Sequence, residues 1–196
     1  YNTVINAWSK SSEPDAATRA HAILKEMELE YQTLIKNNET PVVKPDVLSY
    51  TSAIDAYAKA SNSTMALSLL HRLQSLHNTT NDRSYEPTLL TYTSVINAFA
   101  RSQNPRAAES LLNTLLQSPN MPQPDTVVYN AVINSWGWSN EPDRIERAKA
   151  LFATMARAEK DNKSNARVDL VTVNSLLNAC AFANKEGTLG REERLG

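Results

Sequence analysis

An eight-residue phrase recurs along this chain, and it limits the fold more than any other feature. It reads Tyr129-Asn130-Ala131-Val132-Ile133-Asn134-Ser135-Trp136, with earlier copies opening at Tyr1, Tyr50 and Tyr92 and a weaker copy at Val173. Successive openings lie 49, 42, 37 and 44 residues apart. Self-similarity at such periods marks stacked repeats, each one supersecondary unit burying its apolar face against its neighbours. Each phrase places apolar residues at its first, fourth, fifth and eighth positions, in the first copy Tyr1, Val4, Ile5 and Trp8. That spacing is one face of an α-helix.

A break and a second apolar stripe follow each phrase. The breaks are Ser11-Ser12-Glu13-Pro14-Asp15, Ser61-Asn62-Ser63, Ser102-Gln103-Asn104-Pro105 and Ser139-Asn140-Glu141-Pro142-Asp143. Ser or Asn before Pro predicts a helix stop and a new start, with Pro in the first turn, where no donor is needed. The second stripes are Ala20-Ile23-Leu24-Met27, Ala66-Leu69-Leu70-Leu73, Ala108-Leu111-Leu112-Leu115 and Ala148-Leu151-Phe152-Met155. The recurrent alanine is expected where two helices approach closely. The first and fourth repeats share a longer elbow and the string Trp-x-x-Ser-x-Glu-Pro-Asp-x-x-x-Arg-Ala. Each unit closes on Lys44-Pro45-Asp46, Glu86-Pro87-Thr88, Gln123-Pro124-Asp125 or Arg167-Val168-Asp169. Residues 77–85 and 157–167 read as polar loops, as does the end of the first repeat beyond about Lys36. The expected division is 1–46, 47–88, 89–125, 126–169 and an incomplete 170–196.

Composition supports an all-α class, with only four glycines and 41% hydrophobic residues. The net charge of −1 argues against a generally basic nucleic-acid surface, so such binding must rest on local placement. Cys180 is the single cysteine, and His21, His71 and His77 lack partners at ligand spacing. No metal or other cofactor is therefore expected. No paired-carboxylate cluster suggests a nuclease, and no catalytic residue is assigned. No apolar run is long enough to span a membrane. Asp15, Glu141 and Asp143 fall at predicted helix starts, where the helix dipole favours them. Asn38, Asn62, Asn78 and Asn162 match the glycosylation pattern, which is read as chance. The chain opens inside a repeat without Met and is read as a fragment, with any targeting segment lying outside it.

The phrase Tyr-Asn-x-Val/Leu-Ile-Asn/Asp, the second helix on Ala-x-x-Leu-Phe/Leu-x-x-Met/Leu and the closing Lys-Pro-Asp resemble the pentatricopeptide repeat. The Trp-x-x-Leu-Gly-x-x-Tyr pattern of the related tetratricopeptide repeat is missing. All the units are longer than is usual for the family, Val168 stands where Pro is usual, and Thr88 replaces an Asp. The resemblance implies a right-handed α-solenoid of helix–turn–helix layers that binds single-stranded RNA, one base per repeat. In the family, two residues choose each base: the one after the opening aromatic and the last before the next repeat. Here these are Asn2 with Asp46, Thr51 with Thr88, Thr93 with Asp125, and Asn130 with Asp169. Asn174 opens a fifth pair. Leu48, Leu90, Val127 and Val171 are expected to pack on bases. Asn with Asp implies uracil and Thr with Asp guanine, and RNA runs parallel to the array.

Helical geometry adds a separate argument. Asn2, Asn6 and Lys10 share a face distinct from the apolar stripe, as do Thr51, Asp55 and Lys59, and Thr93, Asn97 and Arg101. Stacking would align short amides and hydroxyls, which suit base edges, with Lys10, Lys59 and Arg101 placed for phosphates. Two alternatives stand beside base reading. The Asn and Thr residues can cap helices, and Asn6, Asp55, Asn97, Asn134 and Asn178 can tie neighbouring helices together. Trp138 is open between stacking on a base and packing at the elbow. The reading is a non-enzymatic RNA binder acting in a mitochondrion or chloroplast. It takes no small-molecule substrate, stays off membranes and has protein partners as a further option. The alternatives are a protein-binding α-solenoid, or the RNA-binding arm of a larger enzyme such as protein-only ribonuclease P.

Overall fold

The computed structural model describes residues 1–161 and 165–180 and is all-helical, with no strand among them. The chain divides into two compact units, Tyr1–Ser102 and Gln103–Gly196. The first contains α1 (Asn2–Lys10), α2 (Ala16–Lys36), α3 (Val47–Lys59), α4 (Ser63–Thr80), a 3-10 turn (Arg83–Tyr85) and α5 (Leu89–Arg101). The second contains α6 (Pro105–Gln117), α7 (Thr126–Gly137), α8 (Arg144–Lys160) and a helical stretch over 170–180. Of the four glycosylation-pattern residues, Asn162 lies outside the described residues.

In the first unit α1, α3 and α5 pack side by side, α2 covers α1 and α3, and α4 covers α3 and α5. Each second helix thus bridges its own first helix and the next. In the second unit α7 packs against both α6 and α8. The apolar stripes make these contacts. Ala20, Ala66, Ala108 and Ala148 are all fully buried, as expected at points of close helix approach. Around them Leu24, Met27, Leu70, Leu73, Leu112, Leu115 and Met155 are sealed from solvent. Close approach recurs at Gly137, where an added Cβ would lie 3.0 Å from the Ala179 Cβ. Tyr50, Tyr92 and Tyr129 are buried, whereas Tyr1 is 37% exposed and hydrogen-bonds Glu30 through its hydroxyl.

The elbows differ from the sequence expectation in one respect. Pro105 occupies the first turn of α6, but Pro14 and Pro142 lie before the N-cap residues Asp15 and Asp143. In both longer elbows a turn leads into the helix, closed by the bonds Ala16 N–H to Glu13 C=O and Arg144 N–H to Glu141 C=O. Pro suits the second position of such a turn, because its φ is already set. A serine hydroxyl braces each turn: Ser11 accepts from Glu13 N–H and Ser139 from Glu141 N–H. The shared Trp and Arg then meet, Arg19 lying 4.9 Å from the Trp8 ring and Arg147 5.8 Å from the Trp136 ring. Cation–π contact explains why the two residues travel together in both elbows. Asp15 pairs with Arg19 at 2.5 Å, and Glu141 and Asp143 pair with Arg106 at 2.8 and 3.1 Å.

Helix reaches into both stretches read as polar loops, 77–85 and 157–167. α4 runs on to Thr80, with the Thr79 and Thr80 hydroxyls bonding back to carbonyls of the preceding turn. Asn81 ends it at φ 53°, a left-handed conformation that Asn tolerates. α8 likewise continues to Lys160. Lys44 pairs with Asp82 and lies 4.9 Å from the Tyr85 ring, tying the first closing segment to the 3-10 turn. That hydrogen bond holds the Asp82 carboxyl at about 2, below its ordinary 3.8. A folded value below the unfolded one contributes stability above pH 3.8 that is lost as pH falls through about 2. Acid titration of Tm should therefore show the gap between the native chain and Asp82→Asn closing over that interval. A gap that stays constant would mean the pair adds no charge-dependent stability.

Candidate nucleic-acid interface

The four closing residues all stand at one kind of place. Asp46, Thr88 and Asp125 are the N-caps of α3, α5 and α7, and Asp169 precedes the helical stretch 170–180. The first backbone N–H groups of a helix have no partner within it, and a short oxygen-bearing side chain supplies one. Asp46 accepts from Ser49 N–H at 2.9 Å, Asp125 from Val128 N–H at 3.0 Å and Asp169 from Thr172 N–H at 2.7 Å. Hydrogen bonds from Thr172, and more weakly from Asn130, hold the Asp169 carboxyl below its ordinary range. Thr88 donates its backbone N–H to the Thr91 hydroxyl at 3.2 Å.

Of the side chains that directly follow the opening aromatics, those of Asn2 and Asn130 reach these caps. The Asn2 amide nitrogen donates to both Asp46 carboxylate oxygens, at 3.2 and 3.3 Å, and its oxygen accepts from the Ser49 hydroxyl at 2.7 Å. The Asn130 amide nitrogen donates to Asp169 at 3.4 Å, and its buried oxygen has no hydrogen-bond partner. Thr51 meets Thr91 hydroxyl to hydroxyl at 2.8 Å, and Thr91 in turn lies 3.2 Å from the Thr88 hydroxyl. The structure thus brings together Asn2 with Asp46 and Asn130 with Asp169, and joins Thr51 to Thr88 only through Thr91. Thr93 turns back to donate to the Leu89 carbonyl of its own helix at 2.7 Å. Thr51, Thr93 and Asn130 are buried, Asn2 is half-buried and Asn174 is exposed.

Beside these polar groups, one apolar residue stays in water at the second position of each helix. Leu48, Leu90, Val127 and Val171 are 53%, 63%, 59% and 56% exposed, although their neighbours in the stripe are sealed. Their shared register distinguishes them from singly scattered surface apolars.

The expected phosphate contacts are unequal. Lys10 pairs with Asp55 at 3.3 Å, while Lys59 donates to the Ser9 carbonyl and lies 3.8 Å from Asp55. Asp55 therefore ties α1 to α3 and offsets both cations. Arg101 is exposed at the end of α5. Asn6 accepts from the Ser9 hydroxyl in its own helix, and Trp138 is 56% exposed. The third-position hydroxyls Ser49, Thr91 and Thr172 were not singled out by sequence reasoning. Their signal was a capping pattern in which Ser or Thr replaces the usual Glu or Gln. Among the described residues no group of three or more His, Cys, Asp or Glu could hold a metal, and no helix is long and apolar enough to cross a membrane.

The family model for the PPR repeat matches residues 48–77 and 90–118. Comparison with curated protein sequences gives no match. Among solved structures, the pentatricopeptide repeat protein PPR10 in complex with an 18-nt psaJ RNA element aligns with a TM-score of 0.62 at 18% identity. The alignment covers 93% of this chain and 22% of that one. PPR10 from maize aligns with a TM-score of 0.58 at 17% identity, over 99% of this chain and 23% of that one. This chain therefore spans under a quarter of the length of those proteins, and the likeness is one of fold. The chain thus carries pentatricopeptide repeats at 48–77, on α3–α4, and at 90–118, and its helices share the fold of PPR10.

Proposed function

We propose that this chain binds single-stranded RNA, one base per repeat, over the divisions 1–46, 47–88, 89–125, 126–169 and 170–196. The carrying observation is the pairing of Asn2 with Asp46 and of Asn130 with Asp169 across successive first helices, each beside an exposed apolar residue. A base entering there meets an amide that donates and accepts, and a hydrophobic surface against its face. The RNA bound by PPR10 belongs to that protein, but its shared fold supports the same ligand class here. The pairs read 5′-U, a purine, G, U-3′, with the second base left open because Thr51 and Thr88 lack an acid. Family resemblance further supports a role in organellar RNA processing, stability or translation.

Incubating the chain with a randomised RNA pool and sequencing what is retained tests this reading. Enrichment of U and G at the stated spacing is the expected result, and retention without any base preference would overturn one-base reading. The electrostatic part is separable. Arg101→Ala should weaken binding to every sequence alike and lower the slope of log affinity against log salt by about 0.7. An unchanged slope would leave Arg101 an ordinary surface charge. Lys59→Ala is the less clean test, because Lys59 already serves the Ser9 carbonyl.

A further inference from the structure

Both complete Asn–Asp pairs share the same two residues, yet their hydrogen bonds differ. A serine hydroxyl has one proton to donate, and a carboxylate accepts only. The Ser49 hydroxyl lies 2.9 Å from the Asp46 carboxylate, but its shorter contact, 2.7 Å, is to the Asn2 amide oxygen. The amide nitrogen faces the Asp46 carboxylate. Only one orientation of the amide satisfies both neighbours. At Asn130 the equivalent hydroxyl, Thr172, likewise meets Asp169, at 2.8 Å, but does not reach the amide oxygen, which is left alone. Asn130 is then held only by its 3.4 Å bond to Asp169.

Amide orientation matters for the two pyrimidines. Uracil presents an N–H donor flanked by carbonyl acceptors. Cytosine presents an amino donor next to a ring-nitrogen acceptor, so donor and acceptor are exchanged along the edge. An amide in one orientation matches uracil, and the same amide turned by half a rotation matches cytosine. We infer that Ser49 is a positioning residue that locks the Asn2 amide and so makes the first base uracil in preference to cytosine, whereas Asn130 lacks this lock. The inference rests on the RNA reading above and adds a third position to the first reading site.

The test measures affinity for RNAs identical except at the first base. Ser49→Val removes the hydroxyl and keeps a buried apolar side chain of the kind that Val128 places at the same helical position. It should lower the uracil-to-cytosine affinity ratio about three- to tenfold, the worth of one hydrogen bond, and leave the preference for pyrimidines over purines. Ser49→Ala, which removes the same hydroxyl, should lower the ratio as far. A uniform loss for all four bases with the ratio intact would make Ser49 a helix cap only and overturn the inference. The native chain provides a second measure that needs no variant: its uracil-to-cytosine ratio should be larger at the first base than at the fourth. Equal ratios would also overturn it. A native chain that retains no RNA at all would instead bring down the RNA reading itself.

Discussion

Trp136→Ala should destabilise the second unit by about 3–5 kcal/mol, the range for deleting a large buried aromatic. Trp136 is 1% exposed at the end of α7 and is among the largest sealed side chains in the protein. Its indole N–H donates to Glu109 at 2.8 Å, and Glu109, itself buried, also pairs with Arg147. Arg106 and Arg147 lie 5.6 and 5.8 Å from the ring. Truncation therefore opens a cavity, strips a partner from a buried carboxylate and removes the platform under two guanidinium groups. Urea unfolding should show a lower midpoint with an unchanged slope. Trp8 holds the matching place in the first elbow but is only half-buried, with Arg19 over its ring. Trp8→Ala should cost less than half as much, and an equal cost at both sites would show that burial is not the cause.

Asn130→Thr should move the fourth base preference from uracil to guanine. The change leaves Asp169 and its bonds to Thr172 in place, and the sealed side chains Tyr129, Val132, Ile133 and Trp136 are untouched. Folding should change little. A well-placed base contact discriminates by about 1–3 kcal/mol in the better-studied DNA case, so the switch should be tenfold or more in affinity. Selection from a random RNA pool reads it directly. If the fourth preference stays on uracil while helix content is intact, Asn130 is a structural link to Asp169 and not a reader of bases.

The helical pairs were legible because the alanine and leucine stripes keep strict helical spacing, and burial follows that spacing almost residue by residue. The helix ends were less so. Pro14 and Pro142 could be assigned to a helix start from sequence, but whether Pro lies in the first turn or in a preceding turn depends on the braces from Ser11 and Ser139. The persistence of α4 to Thr80 depends on hydroxyls folding back on their own helix, which composition disguises as a polar loop. In one dimension Lys59 stood free for a phosphate. Its engagement with the Ser9 carbonyl becomes visible only when α1 lies beside α3. The hydroxyl of Ser49 was hidden for the same reason, since its partner Asn2 is 47 residues away.

Helix capping by Asp46, Asp125 and Asp169 would limit the letters that a base-reading chain could write. Each must start a helix as well as face its proposed base, and only Asp, Asn, Ser, Thr and, less well, Gly begin helices efficiently. A substitution outside that set costs about 0.5–2 kcal/mol of helix stability whatever RNA is present. Selection on folding alone therefore trims the alphabet at these positions to small side chains that can begin a helix.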